Sequence, residues 1–153
     1  MVLWALLTLS IIQAPACPDA ATAYDCAVAQ IERQEFAAAI DTLTQQVLAK
    51  TPANLKALNL LGIALTSAGR ADEAAARFKQ ALAADPNFLP ARKNLAINEF
   101  ARGKLAEAQR DFEQVLARAP DDEVTHLHLG EIAFQRNQPR EAVAHYDLSL
   151  IHI

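Results

Sequence analysis

The sequence predicts an all-α protein, an α-solenoid of stacked antiparallel helical hairpins. Pro52, Pro86 and Pro120 follow one another at intervals of 34 residues. Between them, apolar residues recur every three or four positions, which is the spacing of one face of a helix. The four glycines of the chain occupy only two positions of this period. A period of this length is typical of repeat architectures, in which each unit stacks on the next.

Each period contains two helices joined by a turn. Leu58 and Leu65 share one face of a first helix, and Ala74 and Phe78 share one face of a second. Between these helices lies Gly69, which is able to take the left-handed conformation that ends a helix. One hairpin cannot cover both of its apolar faces, so neighbouring hairpins must complete the core.

The composition excludes several classes of protein. The 153 residues carry a formal charge of −4, whereas a nucleic-acid-binding domain usually carries a basic patch. With 52% hydrophobic residues, the chain is too apolar to be disordered. We therefore expect one globular repeat domain without a nucleic-acid partner.

Residues 1–16 are typical of an export signal. They contain no charged side chain, and an apolar run over residues 2–12 is followed by Ala14-Pro15-Ala16, a cleavage pattern of signal peptides. The run is shorter than the ~20 apolar residues of a membrane-spanning helix. We expect an exported, periplasmic or envelope-associated protein whose residues 1–16 are cleaved or kept as an N-terminal anchor. A buried helix is the alternative.

The two cysteines allow three interpretations. Cys17 directly follows the predicted cleavage site, so it is a candidate for lipidation, which would attach the protein to a membrane. A disulfide between Cys17 and Cys26 is plausible in an oxidising compartment. In the third interpretation Cys26 is a small buried residue and Cys17 has no role.

Residues at fixed positions of the period follow a family pattern. The anchors are Leu58, Leu61, Gly62, Leu65, Ala74, Phe78, Ala81 and Pro86 in one unit, Leu95, Gly103, Ala108, Phe112 and Pro120 in the next, and Leu129, Gly130, Ala142 and Tyr146 in the last. These residues resemble the tetratricopeptide repeat (TPR) family from about residue 20 to 148. The resemblance implies a right-handed superhelix of about four hairpins, at residues 20–54, 55–88, 89–122 and 123–147, forming a domain over residues 17–147.

The chain departs from the family pattern in four places. Ala96 replaces the usual glycine, Glu99 stands where an apolar residue is usual, and Pro139 begins a helix where an aromatic residue is common. The first unit fits only if one extra residue precedes Pro52. These departures affect packing and leave the fold unchanged.

Small and aromatic residues are expected to have distinct packing roles. Gly62 and Gly130 should lie where the two helices of a hairpin cross most closely. The aromatic anchors Phe78, Phe112 and Tyr146 should fill the gaps between consecutive hairpins.

In this family the first helix of each hairpin lines a concave groove. Carried onto this chain, the groove-facing residues include Lys56, Asn59, Ile63, Lys93, Ile97, Phe100, Leu127, Glu131 and Phe134. Such a mixed wall suits an extended peptide or a partner helix, and Lys56 or Lys93 would meet a carboxylate of the partner. The alternative is that these are ordinary solvated residues.

The sequence offers no support for catalysis, a metal or a cofactor. It contains no glycine-rich phosphate loop and no His-Glu-x-x-His motif. His126 and His128 are two residues apart on one helix and so point in different directions. His145 is expected on the surface, and the acidic run at residues 121–123 is expected to cap a helix.

These observations predict a non-catalytic protein-protein interaction scaffold in the bacterial envelope. The alternative is the N-terminal TPR recognition module of a larger enzyme, for example a glycosyltransferase or a sulfotransferase. The partner is expected to be a protein or peptide, with membrane attachment only through the export signal or a lipidated Cys17.

The C-terminal residues have two interpretations. Residues 148–153, Leu-Ser-Leu-Ile-His-Ile, match the translation of a transposon end used in sequencing libraries. They are expected to be a non-native adapter-derived tail that follows a helix ending near Asp147. Alternatively, they are the natural apolar end of that helix. An open end of the solenoid, without a polar terminal helix, would favour self-association.

Overall fold

The structure is a computed structural model that describes residues 22–150, and all its regular elements are helices. They are α1 (Ala23–Glu32), α2 (Phe36–Thr42, continued by a π-helical segment Leu43–Leu48), α3 (Leu55–Ser67), α4 (Ala71–Ala84), α5 (Leu89–Ala101), α6 (Leu105–Leu116), α7 (Glu123–Gln135) and α8 (Pro139–Leu150). Consecutive helices pair into four hairpins that stack in chain order. The prediction of an all-α solenoid is confirmed. The predicted export signal, Cys17 and residues 151–153 lie outside the described residues.

Each hairpin turns at one residue with a left-handed backbone. Gly69 and Gly103 have φ angles of 76° and 73°, as the role of glycine at this position predicts. The first and last hairpins place Gln34 and Asn137 there, with φ angles of 61° and 60°. All four residues follow the end of a first helix, so the hairpins share one turn geometry.

The first helices begin at capping residues. The side chains of Thr22, Asn54 and Asp122 accept hydrogen bonds from the backbone N–H groups three residues later, at 2.9–3.1 Å. These bonds satisfy donors that a helix start leaves unpaired. The helix α5 has no such cap and instead carries a proline in its first turn.

The glycines of α3 and α7 lie where an aromatic ring crosses from the second helix of the same hairpin. A Cβ atom at Gly62 would lie within 2.7 Å of three carbons of the Phe78 ring, and one at Gly130 within 2.7 Å of two carbons of Tyr146. The close crossing is therefore as expected. Phe78 and Tyr146 lie over the glycine of their own hairpins, and their predicted role between hairpins stays a prediction. The Phe112 ring does contact the next hairpin, where it stacks on His128.

The first hairpin contains its extra residue as a π-helical segment. Ala39 precedes Ala74 by 35 positions, whereas Pro52 precedes Pro86 by 34, so the additional residue lies between Ala39 and Pro52. In this interval Leu43–Leu48 is π-helical, and the N–H of Ala49 donates to the carbonyl of Thr44, five residues earlier. A π-turn is the usual way for a helix to take one more residue without losing its register.

The contacts between helices show which face is concave. First helices of successive hairpins touch each other, α1 with α3, α3 with α5, and α5 with α7. Among the described residues, the second helices of successive hairpins make no such contacts. The first helices therefore form the inner wall of a curved stack. The last helix α8 continues to Leu150, three residues beyond the expected end near Asp147. Within the described part of the chain, no helix is long and apolar enough to cross a membrane.

Candidate functional site

The predicted groove residues lie on the first helices of the second, third and fourth hairpins. The wall residues are Lys56, Asn59 and Ile63 on α3, Lys93, Ile97 and Phe100 on α5, and Leu127, Glu131 and Phe134 on α7. A hydrogen bond of 2.9 Å from the amide nitrogen of Asn94 to Oδ1 of Asn59 joins α5 and α3. The helix order and this bond place these side chains on adjoining helices, where one ligand could span them.

Apolar side chains of this wall are open to solvent, most of all on α7. Phe134 is 70% exposed and Leu127 is 43% exposed. Ile63, Ile97 and Phe100 are half-buried and pack against the core from the groove side. Apolar surface that is contiguous and rimmed by polar groups is typical of a binding site.

Lys93 is engaged inside the protein. Its Nζ lies 2.7 Å from Oδ2 of Asp122, and the other oxygen of that carboxylate caps α7 through the N–H of Thr125. Burial raises the pKa of Asp122, but hydrogen bonds from Lys93 and Thr125 outweigh burial and hold it below its usual value. Lys93 therefore has a structural role that the sequence did not predict. Lys56 is exposed and forms no ion pair with residues 22–150.

Glu131 also has a partner within the protein. The Nδ1 atom of His128 lies 2.9 Å from its Oε2, and the His128 ring lies between Phe100 and Phe112, with ring centroids 5.1 and 5.3 Å away. His128 thus links the groove wall to the core, and Glu131 is held in one orientation on the wall.

We expect Asp122→Ala to destabilise the protein by about 1–2 kcal/mol, because α7 loses its cap and Lys93 its counter-ion. Asp122→Asn keeps an oxygen for the cap and should cost less. Thermal unfolding of the two variants beside the wild type measures both effects. Equal melting temperatures for all three proteins would contradict this account of the α7 start.

One pair of residues was not predicted from the sequence. His145, expected on the surface, is half-buried, and its Nδ1 lies 3.0 Å from Nδ1 of the buried His126. A shift of one period relates this pair to Arg92 and Asp111, which form an ion pair, so the repeat itself contained the clue. The expected helix cap is present at Asp122.

The described residues contain no group of three or more side chains placed to hold a metal ion. Cys26 is half-buried on α1. Since Cys17 lies outside the described residues, the Cys17–Cys26 disulfide stays a prediction.

One cleft of the described part of the chain lies away from the groove. A cleft of about 560 Å³ separates α2 from α4, above the leucines of α3. Its floor residues Leu58 and Leu65 are almost fully buried, and Arg70 on its rim already binds Glu73 through two bonds of 2.7 Å. The groove, with its exposed apolar groups, is therefore the better candidate site.

In a comparison with known protein families, two family models match this chain, and both carry the same description. Models described as "Tetratricopeptide repeat" match residues 24–87, 65–110 and 99–150, which together span the described hairpins. No curated protein matches the chain.

Solved structures share the fold. "Crystal structure of MamA" superposes with a TM-score of 0.73 at 18% identity, covering 81% of this chain and 72% of that one. "MamA MSR-1 C2" gives 0.69 at 20% identity, covering 83% and 72%. "Crystal structure of YrrB: a TPR protein with an unusual peptide-binding site" gives 0.72 at 18% identity, covering 84% and 66%. At these identities the similarity is one of fold.

Proposed function

Because the chain belongs to the tetratricopeptide repeat family, we propose that it is a non-catalytic scaffold that binds a peptide or a partner helix in the groove of α3, α5 and α7. The observation that carries this proposal is the exposed apolar surface of the groove wall. Phe134 and Leu127 stand in solvent on a helix whose other face is buried. Covering such side chains gains about 25 cal/mol for each Å² of apolar surface removed from water.

The polar groups of the wall suit a peptide backbone. In the Asn59–Asn94 pair, one bond uses the carbonyl of Asn59 and one amide hydrogen of Asn94. The remaining amide donors and acceptors of the two side chains are free to pair with main-chain groups of a ligand. These amides would fix the position and direction of a chain whose side chains rest on the apolar floor.

The charge of the wall favours an acidic group on the partner. Lys93 is neutralised by Asp122, and Glu131 on α7 accepts a hydrogen bond from His128. Lys56 is left as an exposed positive charge at the beginning of α3. An acidic residue of the ligand would meet Lys56, while its apolar residues lie toward α7. YrrB, described as a TPR protein with an unusual peptide-binding site, is a precedent for peptide binding on the same fold.

A matched pair of substitutions tests the groove. Phe134 and Val143 are both exposed apolar side chains of the last hairpin, but only Phe134 lies on a first helix. Partners are captured from envelope extract with the wild type, and the bound segment is mapped and synthesised. We expect Phe134→Ser to weaken binding of that segment about ten-fold or more, measured by isothermal titration calorimetry. Val143→Ser should leave binding unchanged. Equal affinities for wild type and Phe134→Ser would remove the groove proposal.

We place this scaffold in the bacterial envelope because of the sequence of residues 1–16. The full chain is expressed in a bacterial host, and the mass of the protein in the periplasmic fraction is measured. The expected mass is that of a chain beginning at Cys17, with or without a lipid. An intact protein found only in the cytoplasm would contradict export.

A further inference from the structure

We propose that His126 and His145 form a pH-sensitive lock that holds α8 against α7 at neutral pH and opens when both imidazoles are protonated. The two Nδ1 atoms are 3.0 Å apart, and Nε2 of His126 lies 2.7 Å from the backbone oxygen of Pro120. The ring centroids are 5.3 Å apart. If the two Nδ1 atoms lie on the line between the ring centroids, their distance of 3.0 Å gives a centroid separation of about this size. The geometry is that of a direct hydrogen bond.

The proton positions follow from the partners. The Pro120 carbonyl only accepts, so Nε2 of His126 carries a hydrogen, and in the neutral ring Nδ1 is left with a lone pair. His145 must then donate through its own Nδ1–H. A first added proton goes to Nε2 of His145, and the hydrogen bond remains, now charge-assisted. A second proton has to go to Nδ1 of His126, where it places two N–H groups and two positive charges face to face.

The preceding hairpin has the same lock in a form that does not titrate near neutral pH. Arg92 lies 34 residues before His126, and Asp111 lies 34 residues before His145. The guanidinium of Arg92 binds Asp111 at 2.9 Å and the backbone oxygen of Pro86 at 2.8 Å, just as His126 binds His145 and Pro120. An arginine–carboxylate pair stays charged at all pH values between those that titrate Asp and Arg. The fourth hairpin thus replaces an arginine–carboxylate ion pair with two imidazoles, the side chain whose ordinary charge change lies closest to neutral pH.

The surrounding charges set the direction of the effect. Burial, and then the charge of His126, lower the pKa of His145, while the carboxylates of Glu141 on α8 and Glu113 on α6 oppose this effect. The lowered pKa means that below the ordinary histidine value the unfolded chain binds more protons than the folded one. Stability of this hairpin is therefore present above that value and lost as pH falls.

The position of the lock makes its opening local. Among the helices that the structure describes, α8 packs against α7 alone. The Tyr146 ring of α8 also lies over Gly130 of α7. Acidification should therefore release α8 and uncover one face of α7 before the first three hairpins are affected.

The test transplants the neighbouring lock. The double variant His126→Arg/His145→Asp should hold α8 at every pH between 5.0 and 7.5, whereas the wild type should not. Amide hydrogen exchange of residues 139–150 is measured by mass spectrometry at both pH values and expressed as protection relative to the intrinsic rate. We expect protection in the wild type to fall about ten-fold or more at pH 5.0 and to stay constant in the double variant. Glu32→Gln, which removes an exposed carboxylate on α1, should behave like the wild type.

A second measurement on the wild type does not depend on how the variant folds. Long-range ¹H–¹⁵N spectra at pH 7.5 should show His126 protonated at Nε2 and His145 at Nδ1. Constant protection of α8 in the wild type, the same loss in the double variant, or the opposite tautomers would each overturn the proposal.

Discussion

Replacing Gly62 by alanine is expected to destabilise the solenoid by about 2–3 kcal/mol. The added methyl group would lie within 2.7 Å of three carbons of the Phe78 ring. Phe78 is almost fully buried, so its ring is surrounded by other side chains. Accommodation therefore requires the two helices of the hairpin to separate, which loosens contacts with both neighbouring hairpins.

Whether Gly62→Ala destabilises or stabilises the protein distinguishes the effect of packing from that of helix propensity. Gly62 lies inside α3, and in an exposed helix a change from glycine to alanine stabilises by about 1 kcal/mol. We expect the packing cost to dominate and to lower the midpoint of thermal unfolding by about 5–10 °C. The double variant Gly62→Ala/Phe78→Leu, whose smaller second side chain makes room, should recover part of the loss. A Gly62→Ala protein as stable as the wild type would show that α3 and α4 do not cross closely here.

The hairpins were predictable because their causes are local and repeated. The turn at Gly69, the helical spacing of leucines and the proline period are visible within a single unit. Even the π-helical segment had a trace in the sequence, since the first unit needed one extra residue before Pro52. The period shows that one residue is added, but it does not show that a π-helical segment accommodates it.

The side-chain pairs of the site were less predictable because they join different hairpins or different helices. Lys93 looked like a free groove residue, yet it binds Asp122, which is 29 positions later. His145 looked like a surface residue until its equivalent, Asp111, was seen with Arg92. Aligning the repeats position by position, with the Arg92–Asp111 ion pair known, would have revealed the His126–His145 pair. The Lys93–Asp122 pair depends on the path of the loop before α7, and the sequence of the repeats does not reveal that path.

The departure at Glu99 leads to a change that should strengthen the protein. Glu99 is only 4% exposed, and its Oε2 has no hydrogen-bond partner. Oε1 lies 3.6 Å from Nζ of Lys79, whose own side chain is mostly in solvent. The equivalent positions one period away are the buried apolar residues Leu65 and Ala133. We expect Glu99→Leu to raise the free energy of unfolding by about 1–3 kcal/mol at pH 7.5, because an unsatisfied buried carboxylate is removed.

The pH dependence of the free energy of unfolding tests whether the buried charge of Glu99 causes the expected gain in stability. Burial, and then the nearby Asp111 carboxylate, raise the pKa of Glu99 above its ordinary value of 4.5, against the opposing charge of Lys79. The folded state therefore holds the proton better than the unfolded state. This group favours folding at pH values below 4.5 and loses that contribution as pH rises through its raised pKa. The advantage of Glu99→Leu should accordingly be largest at pH 7.5 and shrink toward pH 4.5.

Denaturant unfolding at several pH values measures this difference, with Glu99→Gln separating charge from size. Glutamine keeps the shape and removes the charge, so it should give part of the gain and lose the pH dependence. Glu32→Gln, at an exposed position of α1, serves as the control for a lost surface carboxylate and should change little. An advantage of Glu99→Leu that is the same at every pH would mean that side-chain volume, rather than the buried charge, limits the stability of this hairpin.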